Sequence, residues 1–167
     1  MIDDVRLIDD VIAAIAAMAW PEPMRMSPTQ LLAFGPSATG FRGGLFVDAG
    51  GGWVGGTCYP LDSNERVPEE RISPMAELLN LIARSGVPFG VGLDLDGGVV
   101  RFKTNAFVTT APLGDRKLLL QDLVVNAAGA RLLYEGPVRR VAFDDLAPQA
   151  AFDEVEAYMA EIRQSEM

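Results

Sequence analysis

The stretch from residue 75 to residue 104 decides the fold, and it reads MAELLNLIARSGVPFGVGLDLDGGVVRFKT. Its first part has apolar residues at helical spacing and ends at Gly86, which predicts an amphipathic helix that stops there. Apolar residues then alternate with glycine or aspartate over 89–96, which is the period of a half-buried strand. A second alternating run puts Val100 and Phe102 on one face. The stretch therefore predicts a helix followed by a β-hairpin.

The turn of this hairpin also predicts how its two strands pair. With Gly97-Gly98 as a two-residue loop, Leu95 faces Val100 across the hairpin. The next apolar pair in that register is Leu93 with Phe102. Apolar side chains then share one face, so we expect this register to be well defined.

Apolar spacing and turn residues predict the remaining elements. They are a first helix over 3–19, strands at 30–34, 45–48 and 53–59, a second helix from Ser73-Pro74 to Gly86, and a last helix from Pro148 to Arg163. The three strands, two of them joined by Gly50-Gly51-Gly52, form an antiparallel meander. Residues 115–135 favour a helix, although adjacent β-branched residues and Gly129 leave strands open as an alternative. Gly136-Pro137 is expected to break this segment, and 138–143 to be a short extended piece.

The composition fits one domain over residues 1–167, long enough to bury a core of its own. With 23 acidic and 14 basic side chains the formal charge is −9, which disfavours binding to nucleic acid or to an anionic membrane. The acidic start Met1-Ile2-Asp3-Asp4 is unlike a secretory signal, and no apolar run approaches the ~20 residues that span a bilayer. The single Cys58 fits a reducing compartment, so we expect a cytoplasmic protein.

The sequence offers no group of residues suited to catalysis. It has no histidine, which removes the usual general base of serine and cysteine hydrolases and most zinc sites. Cys58 lies in a predicted strand and is expected to be a core residue. The loop over 35–44 has the glycines of a phosphate loop without its lysine, and Asp94 and Asp96 lack the closing glutamate of a calcium loop. We therefore predict no catalytic residues, no metal, no cofactor and no enzyme activity.

Two sets of residues are candidates for binding. Trp20, Met24 and Met26 could form an adaptable apolar surface for another protein, although filling of the core explains methionine equally well. The alternative is a small-molecule-binding protein or an enzyme, with a pocket between the glycine-rich strands of 43–59 and a helix. The aromatic residues that would line this pocket are Phe41, Phe46, Trp53 and Tyr59.

The order helix, three strands, helix, two strands, helix is similar to the type III secretion chaperone-like fold, which is shared with the YbjN-like family of bacterial proteins. The residues that carry the resemblance are Leu78-Leu79-Asn80, PFGVGLDLDG at 88–97 and Val141-Ala142-Phe143-Asp144. The resemblance implies an α+β protein with an antiparallel sheet, a meander plus a hairpin, packed with helices. It also implies a homodimer that holds an extended stretch of a partner. Residues 148–163 would be an additional C-terminal helix. We expect a non-enzymatic protein-binding module, chaperone-like or regulatory.

Overall fold

A computed structural model describes residues 3–36, 43–108 and 113–165 of the chain. These residues form an antiparallel sheet with strand order β1-β2-β3-β4-β6-β5, and helices on one face of it. The elements are α1 (Asp4–Ala17), β1 (Met24–Ser27), β2 (Gln30–Phe34), β3 (Gly44–Gly50), β4 (Trp53–Cys58), α2 (Ile72–Arg84), β5 (Gly90–Asp94), β6 (Val99–Phe107), α3 (Leu113–Phe143) and α4 (Pro148–Ser165). No helix in the described ranges is both long and apolar enough to cross a bilayer.

The predicted α+β architecture is confirmed in its main elements. The meander is β2 to β4, the hairpin is β5 and β6, residues 115–135 are helical, and α4 is the additional C-terminal helix. Strand β1 was not predicted. It has only four residues, pairs with β2 alone, and shifts register between Arg25 and Ser27. Its sequence Met-Arg-Met-Ser alternates, but four residues between two prolines are too few to distinguish an edge strand from other extended structure.

The prediction that Gly136-Pro137 ends the third helix is wrong, because α3 continues through Pro137 to Phe143. An interior proline costs a helix about 3 kcal/mol. Beyond it, however, Val138 and Val141 are fully buried, so burial of this last part offsets the cost. In addition, Arg71 Nε donates to the Val141 carbonyl oxygen at 2.8 Å, which holds the end of the helix.

The predicted hairpin register is also wrong, by two residues. Leu93 pairs with Val100, and Leu95 lies in a four-residue loop with its side chain two-thirds exposed. Asp94 sets this loop: its carbonyl oxygen accepts from Gly98 N at 2.9 Å, and its side chain accepts from Asp96 N at 3.2 Å. A shift of two residues keeps every side chain on its predicted face, so the buried face is as expected apart from Leu95.

Gly98 gives a test of this loop. It has a φ of +62°, and a β-carbon built on it would lie 2.5 Å from the Val67 carbonyl oxygen. We expect Gly98→Ala to lower the free energy of unfolding by about 2 kcal/mol, because strain and a backbone clash add. Gly86 is the matched control, since its φ is +77° but nothing lies within 4 Å. Gly86→Ala should cost about 1 kcal/mol in the same urea titration. Equal losses would contradict the close approach at Val67.

The core lies between the inner face of the sheet and helices α1, α2 and α3. Cys58 is part of it, as predicted: its side chain is fully buried and Sγ donates to the Ala127 carbonyl oxygen of α3 at 2.9 Å. Burial raises the pKa of this thiol to about 12, so it is protonated near neutral pH and a poor nucleophile. Nearby, Gly56 lets α3 approach β4, because a β-carbon there would lie 2.9 Å from Leu123.

Candidate functional site

The face of the sheet away from the helices carries many apolar and aromatic side chains. Strand alternation produces this arrangement: Leu45 and Val47 point into the core, whereas Phe46 between them points outward. The pairing then aligns Leu32, Phe46 and Thr57 in one row across three strands. We call this surface the open face. Its apolar and aromatic side chains are Met24, Met26, Leu32, Phe34, Phe46, Trp53, Tyr59 and Phe107.

Five of these side chains are well exposed to solvent. Their exposed fractions lie between 44% and 72%, and the residues are Met24, Met26, Phe34, Phe46 and Phe107. Single exposed apolar side chains are common, but four of these lie on the neighbouring strands β1, β2 and β3 and form one apolar area. Phe107 lies beside Trp53 at the other end of the face, beyond the row of Asp48, Gly55 and Asn105. Such areas mark sites where a protein contacts another molecule.

The open face is nearly neutral, although the chain is strongly acidic. The charged side chains on the outward positions of its strands are Asp48, Asp94, Arg101 and Lys103, so acids and bases balance. The formal charge of the whole chain is −9. Its excess of carboxylates therefore lies on the helices and loops, where it keeps the rest of the surface hydrated.

One end of the open face forms a concavity, which we call the aromatic concavity. The Phe46 and Tyr59 rings meet edge to face with centroids 5.9 Å apart. Together with Val99 and the segment 61–66 they enclose about 360 Å³. Most of this lining is apolar, with the polar groups of 62–66 along one side.

Two arginines of α3 hold the wall of the aromatic concavity in place. Arg139 Nη2 donates to Glu65 Oε1 at 2.7 Å, and this hydrogen bond keeps the pKa of the Glu65 carboxyl below its usual value. Arg131 is almost fully buried and donates to the Tyr59 carbonyl oxygen at 2.6 Å. It also lies 3.6 Å from a carboxylate oxygen of Asp62. The wall is therefore tied to the helix layer on the other side of the sheet.

The predicted protein-contact residues fall in two places. Met24 and Met26 are on the open face and exposed, so they do not fill the core. Trp20 is half-buried and packs against the core between α1 and β1. The role of all three in binding stays a prediction.

Three of the four residues predicted to line a ligand pocket, Phe46, Trp53 and Tyr59, share the open face instead of a space between strands and a helix. Phe46 and Tyr59 meet in the aromatic concavity. Trp53 is on the same face but about 20 Å from Tyr59 along the strand, and Lys103 Nζ lies 5.4 Å from its ring centre. Phe41 lies outside the described residues. Among the described residues, the predicted pocket between the strands and a helix does not form, because the side chains at these positions of β3 and β4 lie on the face of the sheet away from the helices.

Sequence reasoning missed Phe34 and Phe107 as site residues. Phe34 is the last residue of the predicted strand 30–34, but nothing in the sequence indicated which face of that strand is covered by helices. Phe107 is the last residue of β6, beyond the predicted end of the hairpin. The available signal was alternation. Phe107 is an even number of residues from Arg101 and Lys103, so its side chain lies on the same face of the sheet as theirs if β6 continues to residue 107. A strand prediction that stopped near residue 104 could not use it.

The described residues form a surface suited to contact with another molecule more than a set of groups suited to catalysis or metal binding. Among them, no group of three or more cysteine, aspartate or glutamate side chains could hold a metal ion. Asp94 is engaged in the hairpin turn, and the Cys58 thiol is buried. The open face therefore suits apolar association, with polar groups at its margin.

Comparisons with known proteins add little to this geometry. No protein-family model matches the chain, and no curated protein matches it. Among solved structures, the chain is similar to one titled "Structure of the HopA1-SchA Chaperone-Effector Complex". The identity is 12%, the TM-score is 0.45, and the match covers 79% of this chain and 99% of that chain. A similarity of this strength establishes no family.

Proposed function

We propose that the chain is a non-enzymatic protein-binding module that holds an apolar segment of a partner protein on its open face, as a chaperone or regulator would. The observation that carries this proposal is the set of five exposed apolar side chains on one face of the sheet. Covering such side chains gains about 25 cal/mol for each Å² of apolar surface removed from water.

The geometry of the open face indicates the kind of segment that fits. The aromatic concavity has room for one bulky apolar side chain, which would serve as an anchor at one end. Met24 and Met26 can adjust their side chains to different contacts at the β1 edge. Since the face is neutral and the surrounding protein acidic, the partner segment should be apolar on its contact side and neutral or basic overall.

Three expectations from composition and resemblance belong to this proposal. They are a cytoplasmic location, no binding to nucleic acid, and assembly as a homodimer. The acidic charge of −9 supports the second, because it repels phosphate backbones at long range.

A second candidate is a small-molecule-binding protein or enzyme that uses the aromatic concavity. The observation that favours it is the apolar volume of about 360 Å³ beside Phe46 and Tyr59, which is within the range of ligand pockets. A co-purified small molecule in native mass spectrometry, lost from Tyr59→Ala, would support this candidate over the first.

Affinity capture from the cell that makes the protein tests the first proposal. Phe46→Asp with Phe107→Asp places two charges on the open face, and we expect at least a tenfold loss of the captured partner. Tyr158→Asp is the control, because Tyr158 is exposed on α4, away from the sheet. Circular dichroism should show unchanged folding of both variants. Equal recovery with the double variant and the wild type would refute the proposal.

A further inference from the structure

Helix α3 has apolar side chains on two opposite faces. Leu120, Val124 and Ala127 are buried against the sheet, as expected for a helix of the core layer. On the opposite face, Leu118 and Val125 are more than half exposed. A helix of a two-layer protein normally carries polar residues on its solvent side. The exposed apolar face of α3 is therefore unexplained by the packing of a single chain.

The exposed residues form one continuous stripe. Positions three or four apart lie on the same side of a helix, and the residues that follow this spacing run for about 38 Å along α3. We call them the outer stripe; they are Leu118, Asp122, Val125, Gly129, Leu132, Gly136, Arg140 and Phe143. The two glycines leave open space above the helix, because a β-carbon on either would meet nothing within 4 Å.

We propose that the outer stripe binds the outer stripe of a second copy of this chain, with the two helices antiparallel. The sequence of the stripe is self-complementary in that arrangement. With the two-fold axis between positions 130 and 131, Leu132 of one copy meets Gly129 of the other. Val125 then meets Gly136. Each bulky side chain faces a glycine, so the helices can approach closely.

Charge supports the same register. Asp122 of one copy lies beside Arg140 of the other, twice in the symmetric pair, so that Arg140, which already pairs with Glu154 of its own chain, gains a second carboxylate. The remaining apolar residues, Leu118 and Phe143, meet at the ends. A parallel pair in register would place Asp122 against Asp122 and glycine against glycine, which is unfavourable for both charge and packing. The stripe therefore favours the antiparallel second copy over other occupants.

This dimer gives a specific form to the homodimer expected under the proposed function, but it does not depend on partner binding by the open face. The outer stripe is on the side of the helix layer away from the sheet, so the two open faces would point outward and stay accessible. Variants of one surface should leave the other surface active. Failure of partner capture and failure of dimer formation can thus be told apart.

Sedimentation velocity of the full chain tests the dimer. The wild type should be dimeric at about 100 µM, since even a weak specific contact is populated there. Leu132→Glu should shift it to monomer, because the glutamate would be buried against Gly129 of the second copy. Phe107→Glu, on the open face, is the control and should stay dimeric. A monomeric wild type, or a dimer that survives Leu132→Glu, would overturn the proposal.

Cysteine cross-linking tests the antiparallel register. Val125→Cys protein mixed with Gly136→Cys protein should give a disulfide-linked heterodimer on mild oxidation, since the two positions face each other. Val125→Cys alone should cross-link poorly, because its copies would lie about 16 Å apart along the helix pair. Efficient linkage of Val125→Cys to itself, without the mixed product, would overturn the antiparallel arrangement.

Discussion

Replacement of Phe102 by alanine should lower the free energy of unfolding by about 4 kcal/mol. Phe102 is fully buried on β6, and its ring centre lies 5.5 Å from that of Phe89 and 6.0 Å from that of Tyr134. These three rings join the hairpin to α3. Truncation would leave a cavity where hairpin and helix meet, which neither element can close by moving alone. Urea denaturation followed by circular dichroism measures the loss.

Phe107→Ala is the matched control for this prediction. Phe107 is on the same strand but on the open face, and 72% of its side chain is exposed. Its replacement should change the free energy of unfolding by less than about 0.5 kcal/mol. Similar losses for the two variants would contradict the assignment of the two faces of β6.

Replacement of Arg131 by methionine should cost about 3 kcal/mol. The guanidinium donates to the Tyr59 carbonyl oxygen at 2.6 Å and to Glu135 at 3.0 Å, with Asp62 close by. Methionine keeps much of the volume of the side chain but none of its hydrogen bonds. The Tyr59 carbonyl and the two carboxylates then lose their cationic partner. Asp62 and Glu135 are partly solvated, which keeps the cost below that of a fully buried ion pair.

The comparison for Arg131 is Lys117→Met, an exposed cation in the first part of the same helix. It should change the free energy of unfolding by less than about 0.5 kcal/mol. Arg131→Met should also speed hydrogen exchange in the segment 61–66, because the wall of the aromatic concavity loses its link to α3. An Arg131→Met protein as stable as Lys117→Met would show that this link contributes nothing.

Local patterns in the sequence were enough to predict most elements. Helical spacing identified α1, α2 and α4, and alternation identified the hairpin, because each pattern reflects one buried face. Predictions failed where contacts that these patterns do not encode decide the outcome. Pro137 stays helical because residues beyond it are buried and because Arg71 holds the end of α3. The hairpin register depends on side-chain and backbone hydrogen bonds of Asp94, which alternation does not encode.

The candidate site was predictable only in part, for the same reason. Met24 and Phe46 were singled out for different roles, and the structure places both on the open face. They belong together because β1 pairs with β2, and β2 with β3, in the observed registers. Strand β1 has only four residues, too few for their alternation to identify an edge strand, so its position at the edge of the sheet could not be derived from the sequence.

Site-specific photo-crosslinking tests most directly whether the open face holds a partner protein. A photoreactive phenylalanine analogue would replace Phe46, and in a second protein Tyr158, which is exposed on α4. In the cell that makes the protein, position 46 should yield a covalent adduct with a partner polypeptide, and position 158 should not. Adducts from position 158 with none from position 46 would contradict the proposal that partner binding takes place on the open face.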